Sequence, residues 1–346
     1  MEYQKLTQTI FSYGSPCNGQ YGHLVLREDG SVYGYSHPNE HSWAIKNNQL
    51  LFQSLSGAIT SRYTVCADSG VWQGHSEGQK WPLYLMPLLT NSRRNVDVAD
   101  NKAPVFLVNS IPKSGTYYLE AVLDEIGYPS ERIHLVGNDN VDDYRDMPDD
   151  QLHVAPASVR LRCPVDLVAA ILQGQHIVGH IEHRHIIDKM RALDICVLTV
   201  IRNLRDVLMS LYHFKLNTVL PLDTADRMWR KLEGRARLHA FLVYYHDKDL
   251  QHIRLIAEMI ANDNNPMLLR YEELCQGVVS SAVTEKLEQL NPGMARQFLD
   301  ALKNQYGQPT PTRRPSDISR TDVWDDSVEQ YFIDSGMDAL NRALGY

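Results

Sequence analysis

The sequence predicts an α/β fold in which helices flank a parallel sheet, preceded by a small antiparallel β domain. From residue 104 onward, short apolar runs alternate with segments of helical periodicity, which is typical of parallel βαβ units. Residues 1–95 instead carry short alternating segments around turns. The 346 residues, 43% hydrophobic and 22% charged, have ordinary globular composition and room for two domains. We therefore expect a β-rich accessory domain at 1–95 and an α/β domain at 104–346.

The N-terminal region opens with a hairpin pattern. Residues 22–27 and 31–36 are short β-like runs on either side of an Asp-Gly turn, and residues 49–53 and 58–65 repeat the pattern. Aromatic and polar residues of this region resemble those of sugar-binding surfaces, but aromatics in small β domains are more often core. The residues concerned are Tyr33, Tyr35, His37 and Trp43.

The larger region contains four apolar runs that predict buried parallel strands. They lie at 104–109, 176–181, 195–201 and 266–270. Apolar residues at helical spacing predict helices at 116–126 and 204–216, a long helical stretch over 224–261, and a helix from Ser327. Asn203 precedes the second of these helices and is expected to be its N-cap.

Charge and cysteine content exclude several classes of protein. The net charge of −8 argues against a nucleic-acid partner, although a local site for a small anion needs only a few donors. The five cysteines are scattered and form no CxxC pair, so we expect neither a disulfide framework nor a cysteine zinc site. With no signal peptide and no transmembrane run, the sequence predicts a cytoplasmic protein, and its oligomeric state stays open.

The first strand of the α/β region leads into a loop suited to a phosphate. Free N–H groups at the start of the next helix bind anions. Gly115 allows close backbone approach, Lys113 adds a positive charge, and Ser114 and Thr116 add hydroxyl donors. The nucleotide-hydrolase pattern GxxxxGK[ST] is absent. We interpret residues 112–116 as a phosphate cradle of another kind.

A second candidate phosphate contact follows the strand at 195–201. Arg202 stands at the carboxyl end of that strand, where ligands of open α/β sheets bind. Ser210 lies about two helical turns further on. The planar guanidinium of Arg202 suits a phosphate, and Ser210 adds a hydroxyl.

These two segments resemble the sulfotransferases that use 3′-phosphoadenosine-5′-phosphosulfate (PAPS). PKSGT at 112–116 and RNxxDVxxSxYHF at 202–214 match the two motifs of that family. The resemblance implies a P-loop-like fold, with Lys113, Ser114, Gly115, Thr116, Tyr117 and Tyr118 at the 5′-phosphosulfate and Arg202 and Ser210 at the 3′-phosphate. Cytosolic members usually continue with Thr-Trp, where this chain has Tyr117-Tyr118.

The resemblance extends over about residues 104–346. Tyr271, within LRYEEL, matches a tyrosine that approaches the adenine in the family, and Arg313 and Arg314 match the basic pair of a C-terminal loop. Pro315 replaces the glycine of that loop, and its tryptophan is missing. Packing at a strand–helix junction is an equally good interpretation of Tyr271.

Sulfuryl transfer to an alcohol needs a base for the acceptor hydroxyl. His180, at the end of the strand at 176–181, matches the histidine base of cytosolic members, and Glu182 is the reserve because other members use a glutamate. A metal site built from His180, His183 and His185 is the rival interpretation. No cysteine or HExxH pattern supports that site, and the family uses no metal, so none is expected.

The sequence thus predicts a PAPS-dependent sulfotransferase that acts on a hydroxyl of a saccharide or glycolipid and leaves 3′-phosphoadenosine-5′-phosphate (PAP). Two other functions stay open. One is an ATP- and magnesium-dependent kinase-like enzyme, and the other is a non-catalytic glycan-binding protein on the same scaffold.

Overall fold

The computed structural model describes residues 3–67, 69–78, 81–91, 103–148, 151, 154, 156–310 and 323–346. The described chain divides into two compact units. The first contains the described part of residues 1–103 together with Cys163–Gln173, and the second contains residues 104–162 and 174–346. No helix among the residues so described is long and apolar enough to cross a membrane.

The first unit is an eight-stranded antiparallel meander. Its strands are β1 (Thr9–Ser15), β2 (Gly19–Leu26), β3 (Val32–Tyr33), β4 (Ser42–Lys46), β5 (Gln49–Gln53), β6 (Ile59–Val65), β7 (Trp72–Ser76) and β8 (Pro82–Thr90). Their order is β3-β2-β1-β8-β7-β6-β5-β4, and a bridge between Ser31 and Ser42 joins the two edges, so the sheet closes on itself. The predicted hairpin around Asp29-Gly30 is present as β2 and β3.

Aromatic and aliphatic side chains fill the core of this first unit, as expected of a small closed sheet. Trp43 is buried among them, and its indole N–H donates to the Arg27 carbonyl at 2.9 Å. This placement agrees with the core interpretation of that residue. A short helix, α1 (Tyr3–Thr7), precedes the strands, and α3 (Val165–Ala170) also belongs to the unit, where Asp166 accepts a hydrogen bond from Tyr33.

The second unit is built on a seven-stranded sheet of order β12-β11-β10-β13-β9-β14-β15. Its strands are β9 (Phe106–Ser110), β10 (Ser130–Val136), β11 (Asn140–Asp143), β12 (Arg160–Arg162), β13 (His176–His180), β14 (Cys196–Ile201) and β15 (Leu268–Arg270). The five strands from β10 to β15 in that order run parallel, and β11 and β12 extend the sheet antiparallel.

Helices cover both faces of this sheet. They are α2 (Thr116–Glu125), α4 (Arg184–Ala192), α5 (Leu204–Asn217), α6 (Thr224–Arg230), α7 (Gly234–Tyr245), α8 (Asp249–Ala261), α9 (Tyr271–Leu274), α10 (Ser281–Leu290), α11 (Met294–Gln305), α12 (Asp326–Asp334) and α13 (Met337–Ala343). Leu198 and Val200 of β14 join one apolar cluster with α2, α10 and α11, whereas Ile201 joins another with α5, α7 and α8. Alternate residues of a strand face opposite sides, so one strand supplies both clusters.

The predicted α/β fold is confirmed, and so are the four parallel strands and the helices after β9 and β14. Asn203 caps α5 by accepting from the Arg205 N–H. The long helical stretch expected over 224–261 is present and forms three helices, α6, α7 and α8. Gly234 has a φ of 53°, which a continuous right-handed helix does not contain.

Candidate functional site

The loop between β9 and α2 has the backbone of an anion cradle. Lys113 and Gly115 have φ angles of 70° and 98°, so the chain turns sharply twice before α2 begins at Thr116. A Cβ at position 115 would lie 2.4 Å from the Tyr271 ring, so only glycine fits there. No side chain caps the N-terminus of α2, and the N-terminus of a helix is a position at which backbone N–H groups bind anions.

Three hydroxyl groups, those of Ser110, Ser114 and Thr116, lie at this loop. The Ser110 and Thr116 hydroxyls lie 2.6 Å apart in a hydrogen bond. Ser114 is fully buried, and within the described part of the chain its hydroxyl has no hydrogen-bond partner. A buried hydroxyl without a partner is unfavourable, and a bound anion inside the loop would supply the missing acceptor.

Cationic side chains frame the same loop. The Arg202 guanidinium donates to the Lys113 carbonyl at 3.2 Å and lies 4.6 Å from the centre of the Tyr271 ring. The Lys113 ammonium lies 4.0 Å from the centre of the Phe214 ring. Aromatic packing of this kind holds both cations in place.

His180 lies at the end of β13, next to the loop. Its Nδ1 lies 2.8 Å from the Ser110 carbonyl oxygen and 3.3 Å from the Ser110 hydroxyl. A carbonyl oxygen only accepts, so Nδ1 carries the proton in the neutral ring and Nε2 keeps its lone pair. His180 is therefore arranged to take a proton at Nε2.

Glu182 has a different arrangement. One carboxylate oxygen lies 2.7 Å from Nδ1 of His252, and the other lies 3.3 Å from Nε2 of His183. Glu182 does not line the cavity around the loop, whereas His252 does. The two side chains thus form a carboxylate–imidazole pair in which Glu182 orients His252. Among the residues that the structure covers, no group of three or more His, Cys, Asp or Glu side chains could hold a metal ion.

One cavity of about 770 Å³ in the second unit joins these groups. We call its cradle side the loop end: residues 112–116, Arg202, Ser210 and Tyr271. The side formed from β10 to β12 is the strand wall, and it contains His134, Asp142, Tyr144 and Arg160. The helix wall contains Lys215 of α5, Lys248 just before α8, and Asp249 and His252 of α8.

The two walls contain paired charges. Arg160 binds the Asp142 carboxylate through Nε at 2.8 Å and Nη2 at 3.0 Å, and Tyr144 donates to the same carboxylate at 3.4 Å. Lys215 lies 2.7 Å from Asp249. Sequence reasoning missed both walls. The strand wall comes from short strands without a distinctive motif, and the helix wall depends on how α5 and α8 pack.

The two tyrosines after the loop differ in role. The Tyr117 hydroxyl lies 3.2 Å from Nδ1 of His134. Burial, with Glu120, Tyr144 and Asp142 nearby, raises the pKa of Tyr117 well above 10. The Tyr118 ring reaches the cavity, but its hydroxyl donates to the Leu274 and Leu302 carbonyls in the core. Arg313 and Arg314 lie outside the described residues.

A family model described as "Sulfotransferase domain" matches residues 103–283. Among solved structures, six chains match. One is the crystal structure of mouse sulfotransferase SULT7A1 complexed with PAP, with 14% identity and a TM-score of 0.41, covering 71% of this chain and 90% of that one. None of the curated proteins matches.

Proposed function

We propose that this chain, which belongs to the sulfotransferase domain family, is a PAPS-dependent sulfotransferase. It transfers the sulfuryl group of PAPS to a hydroxyl of a saccharide, either free or as the headgroup of a glycolipid. The observation that carries this proposal is one cavity that joins an anion-binding loop, a histidine whose Nδ1 hydrogen-bonds to the Ser110 carbonyl, and two charged walls.

The loop end is suited to the donor. PAPS supplies the sulfuryl group when it binds. The α2 N–H groups, with Ser114 and Thr116, are placed to bind its 5′-phosphosulfate, and the Ser114 hydroxyl then gains the acceptor that it lacks. Lys113 stabilises the charge that develops on the leaving phosphate. Arg202 and Ser210 bind the 3′-phosphate, and the Tyr271 ring contacts the adenine.

His180 acts as the base. Its Nε2 takes the proton of the acceptor hydroxyl while that oxygen forms a bond to sulfur and the bond from sulfur to the phosphate oxygen breaks. The Ser110 carbonyl accepts from Nδ1–H and stabilises the imidazolium that results. Glu182 is the weaker candidate because its two oxygens are engaged by His252 and His183.

The walls support a polar acceptor with many hydroxyl groups. Ion pairs such as Asp142–Arg160 and Lys215–Asp249 present donors and acceptors side by side. The hydroxyl groups of a sugar are hydrogen-bond donors and acceptors that stand equally close together. When a sugar replaces water in the cavity, its hydroxyl groups can therefore hydrogen-bond to the charged side chains of the walls.

Calorimetry with PAP and with ATP tests the donor assignment. We expect PAP to bind tightly to the wild type and more than about tenfold more weakly to Arg202→Ala and Lys113→Ala, since each removes a charge-assisted contact. Arg296→Ala, an exposed arginine of α11, is the matched control and should bind PAP normally. Binding of ATP as tight as that of PAP would argue for the kinase-like function instead.

Transfer of labelled sulfate from PAPS to a panel of saccharides tests the base. His180→Ala should keep its PAP affinity and lose transfer by at least about a hundredfold. His185→Ala, an exposed histidine of α4, is the matched control. If His180→Ala retains full transfer while Glu182→Gln loses it, the base is Glu182 or the His252 that it orients.

A further inference from the structure

A group of apolar side chains faces solvent next to the cavity. Leu220 and Leu222 precede α6, Met228 lies on it and Leu232 follows it, and each keeps between 42% and 65% of its surface exposed. Single apolar residues are normal on a protein surface, but a contiguous group marks a site that contacts a partner or a membrane. We call these four residues the apolar rim.

Hydrogen bonds hold the loop of the rim against α6. The Leu222 N–H donates to the Asp226 carboxylate at 2.9 Å, near the start of the helix. At the end of the helix, the Arg230 guanidinium donates to the Val219 carbonyl at 2.9 Å. Both ends of the loop that carries Leu220 and Leu222 are therefore tied to α6.

The outer face of α6 presents the rest of the rim beside two cations. Trp229 is buried, whereas Met228 and Leu232 are exposed and four residues apart, as are Arg227 and Lys231. The N–H groups of Lys231 and Leu232 donate to carbonyls of the last turn at 3.2 and 3.1 Å, so the helical turn continues past Arg230. Residues four apart on a helix are neighbours, so an apolar row and a cationic row lie side by side.

The segment that carries the rim is positively charged within an acidic protein. Residues 220–238 contain five arginines and lysines against three acids, a local net charge of +2, whereas the whole chain has −8. Asp226 is paired with Arg230. Arg227 and Lys231 are exposed, and neither has an acidic partner in the part of the chain that the structure describes. The three acids are Asp223, Asp226 and Glu233.

Apolar side chains beside such cations suit the surface of an anionic lipid bilayer. The apolar groups enter the boundary between headgroups and acyl chains, and the cations bind the lipid phosphates. A protein interface fits this surface less well, because lysine is depleted from interfaces. The attraction has to be local, since the net charge of −8 would by itself repel an anionic membrane.

The rim is continuous with the cavity. Leu222 lines the cavity, and so does Lys248, whose ammonium lies 3.4 Å from the centre of the Tyr244 ring. The Tyr244 hydroxyl donates to Asp223, the residue after Leu222, at 2.8 Å. Leu222 and Lys248 therefore lie at the same edge of the cavity, and a saccharide anchored in a bilayer against the rim would enter from this edge.

We propose that the apolar rim, with Arg227 and Lys231, docks the protein on an anionic membrane surface and that the acceptor is the saccharide headgroup of a lipid in that membrane. Docking holds the headgroup at the cavity while the lipid tails stay in the bilayer. The identity of the acceptor rests on the proposed function, whereas the docking itself does not depend on it.

Flotation of the whole chain with lipid vesicles tests the docking. The protein should bind phosphatidylcholine vesicles that contain about 30% phosphatidylglycerol, and the binding should weaken as the salt concentration rises. The double variant Met228→Ser, Leu232→Ser loses apolar surface from the rim and should bind at least about tenfold more weakly. Leu55→Ser, which changes an exposed leucine of the first unit, is the matched control and should bind normally. PAP affinity, which should be unchanged in all of them, shows that the variants are folded.

Charge reversal tests the class of lipid. The double variant Arg227→Glu, Lys231→Glu should lose the preference for vesicles with phosphatidylglycerol over vesicles of phosphatidylcholine alone. Arg296→Glu, at an exposed arginine of α11, should keep it. A wild type that floats with neither vesicle overturns the proposal, and so does unchanged binding of the double serine variant. If the wild type self-associates in analytical ultracentrifugation without lipid and the double serine variant does not, the rim is an interface between two copies of the chain and the membrane assignment is wrong.

Two forms of the acceptor separate this inference from the proposed function. Each saccharide of the panel is offered free in solution and attached to a lipid in the same vesicles. The double serine variant should keep its transfer to the free saccharide and lose transfer to the vesicle-borne one at least about tenfold. Vesicle binding without transfer to any acceptor argues against the proposed function and leaves the docking intact. Transfer to saccharides by a protein that does not bind vesicles argues against the docking alone.

Discussion

The loop end and the strand wall of the cavity are built in different ways. The loop end is local, because residues 112–116 follow one another in the chain. Their contacts come largely from Arg202 and Tyr271, which follow two parallel strands of the same sheet, β14 and β15. The strand wall is assembled from three strands, and its key contacts, Arg160–Asp142 and His134–His180, join residues that lie 18 and 46 positions apart in the sequence.

This contrast suggests a division of tasks. A phosphate has the same shape in every donor molecule, so a short segment with fixed backbone geometry is sufficient to bind it. An acceptor is recognised by side chains from several elements, which can change one by one without disturbing the loop. Substitutions in the loop end should therefore lower transfer to all acceptors equally, and substitutions in the walls should lower transfer to individual acceptors.

The largest effect is expected at Lys113. In Lys113→Ala, the positive charge beside the leaving phosphate is lost, and kcat should fall about 10²- to 10³-fold with every acceptor. Steady-state rates with several acceptors would measure this. Lys286→Ala, an exposed lysine of α10, is the control. A loss confined to one acceptor would show that Lys113 belongs functionally to a wall.

The next effect concerns Asp226, whose fully buried side chain fixes the segment that brings Leu222 to the cavity. Its carboxylate binds the Leu222 N–H, the Trp229 indole and the Arg230 guanidinium. Asp226→Asn removes the charge opposite a partly buried arginine. The free energy of unfolding, measured in urea at pH 7, should therefore be about 3 kcal/mol lower than in the wild type. If the variant is as stable as the wild type, this cluster does not hold the segment.

The same residue gives a pH dependence. Burial by itself raises the pKa of Asp226, but the hydrogen bonds from Arg230, Leu222 and Trp229 outweigh it and hold the pKa below the ordinary value of 3.8. A lowered pKa in the folded state means that the stabilisation is present above the unfolded value and is lost as the pH falls through the folded one. The stability difference between wild type and Asp226→Asn should therefore shrink as the pH falls below about 4.

A smaller effect is expected at Arg160 of the strand wall. Arg160→Lys keeps a charge for Asp142 but removes the planar fork that binds it bidentately, so the KM for the acceptor should rise about tenfold. The PAP affinity should not change. Arg162→Lys, an exposed arginine on the same strand, is the control. An equal loss of PAP affinity would contradict the division between loop end and strand wall.

The same contrast explains what the sequence could predict. PKSGT and RNxxDVxxSxYHF encode the loop end in consecutive residues, and Asn203 and His180 can be placed from the strands beside them. The strand wall depends on the pairing of β10, β11 and β12, which are short and partly polar, so His134 and Arg160 carry no motif. The helix wall could not be predicted because it depends on how α5 and α8 pack, which no motif encodes.

The smallest effect is expected at Ser114, where one substitution should change stability and PAP binding in opposite directions. The Ser114 hydroxyl is buried and lacks a hydrogen-bond partner among the described residues, so it destabilises the empty loop. In Ser114→Ala this penalty disappears, and the free protein should be more stable by up to about 1 kcal/mol. PAP should bind more weakly in the same variant. Thermal unfolding with and without PAP measures both effects, and a variant that loses stability without ligand would show that the hydroxyl already has a partner in the free protein.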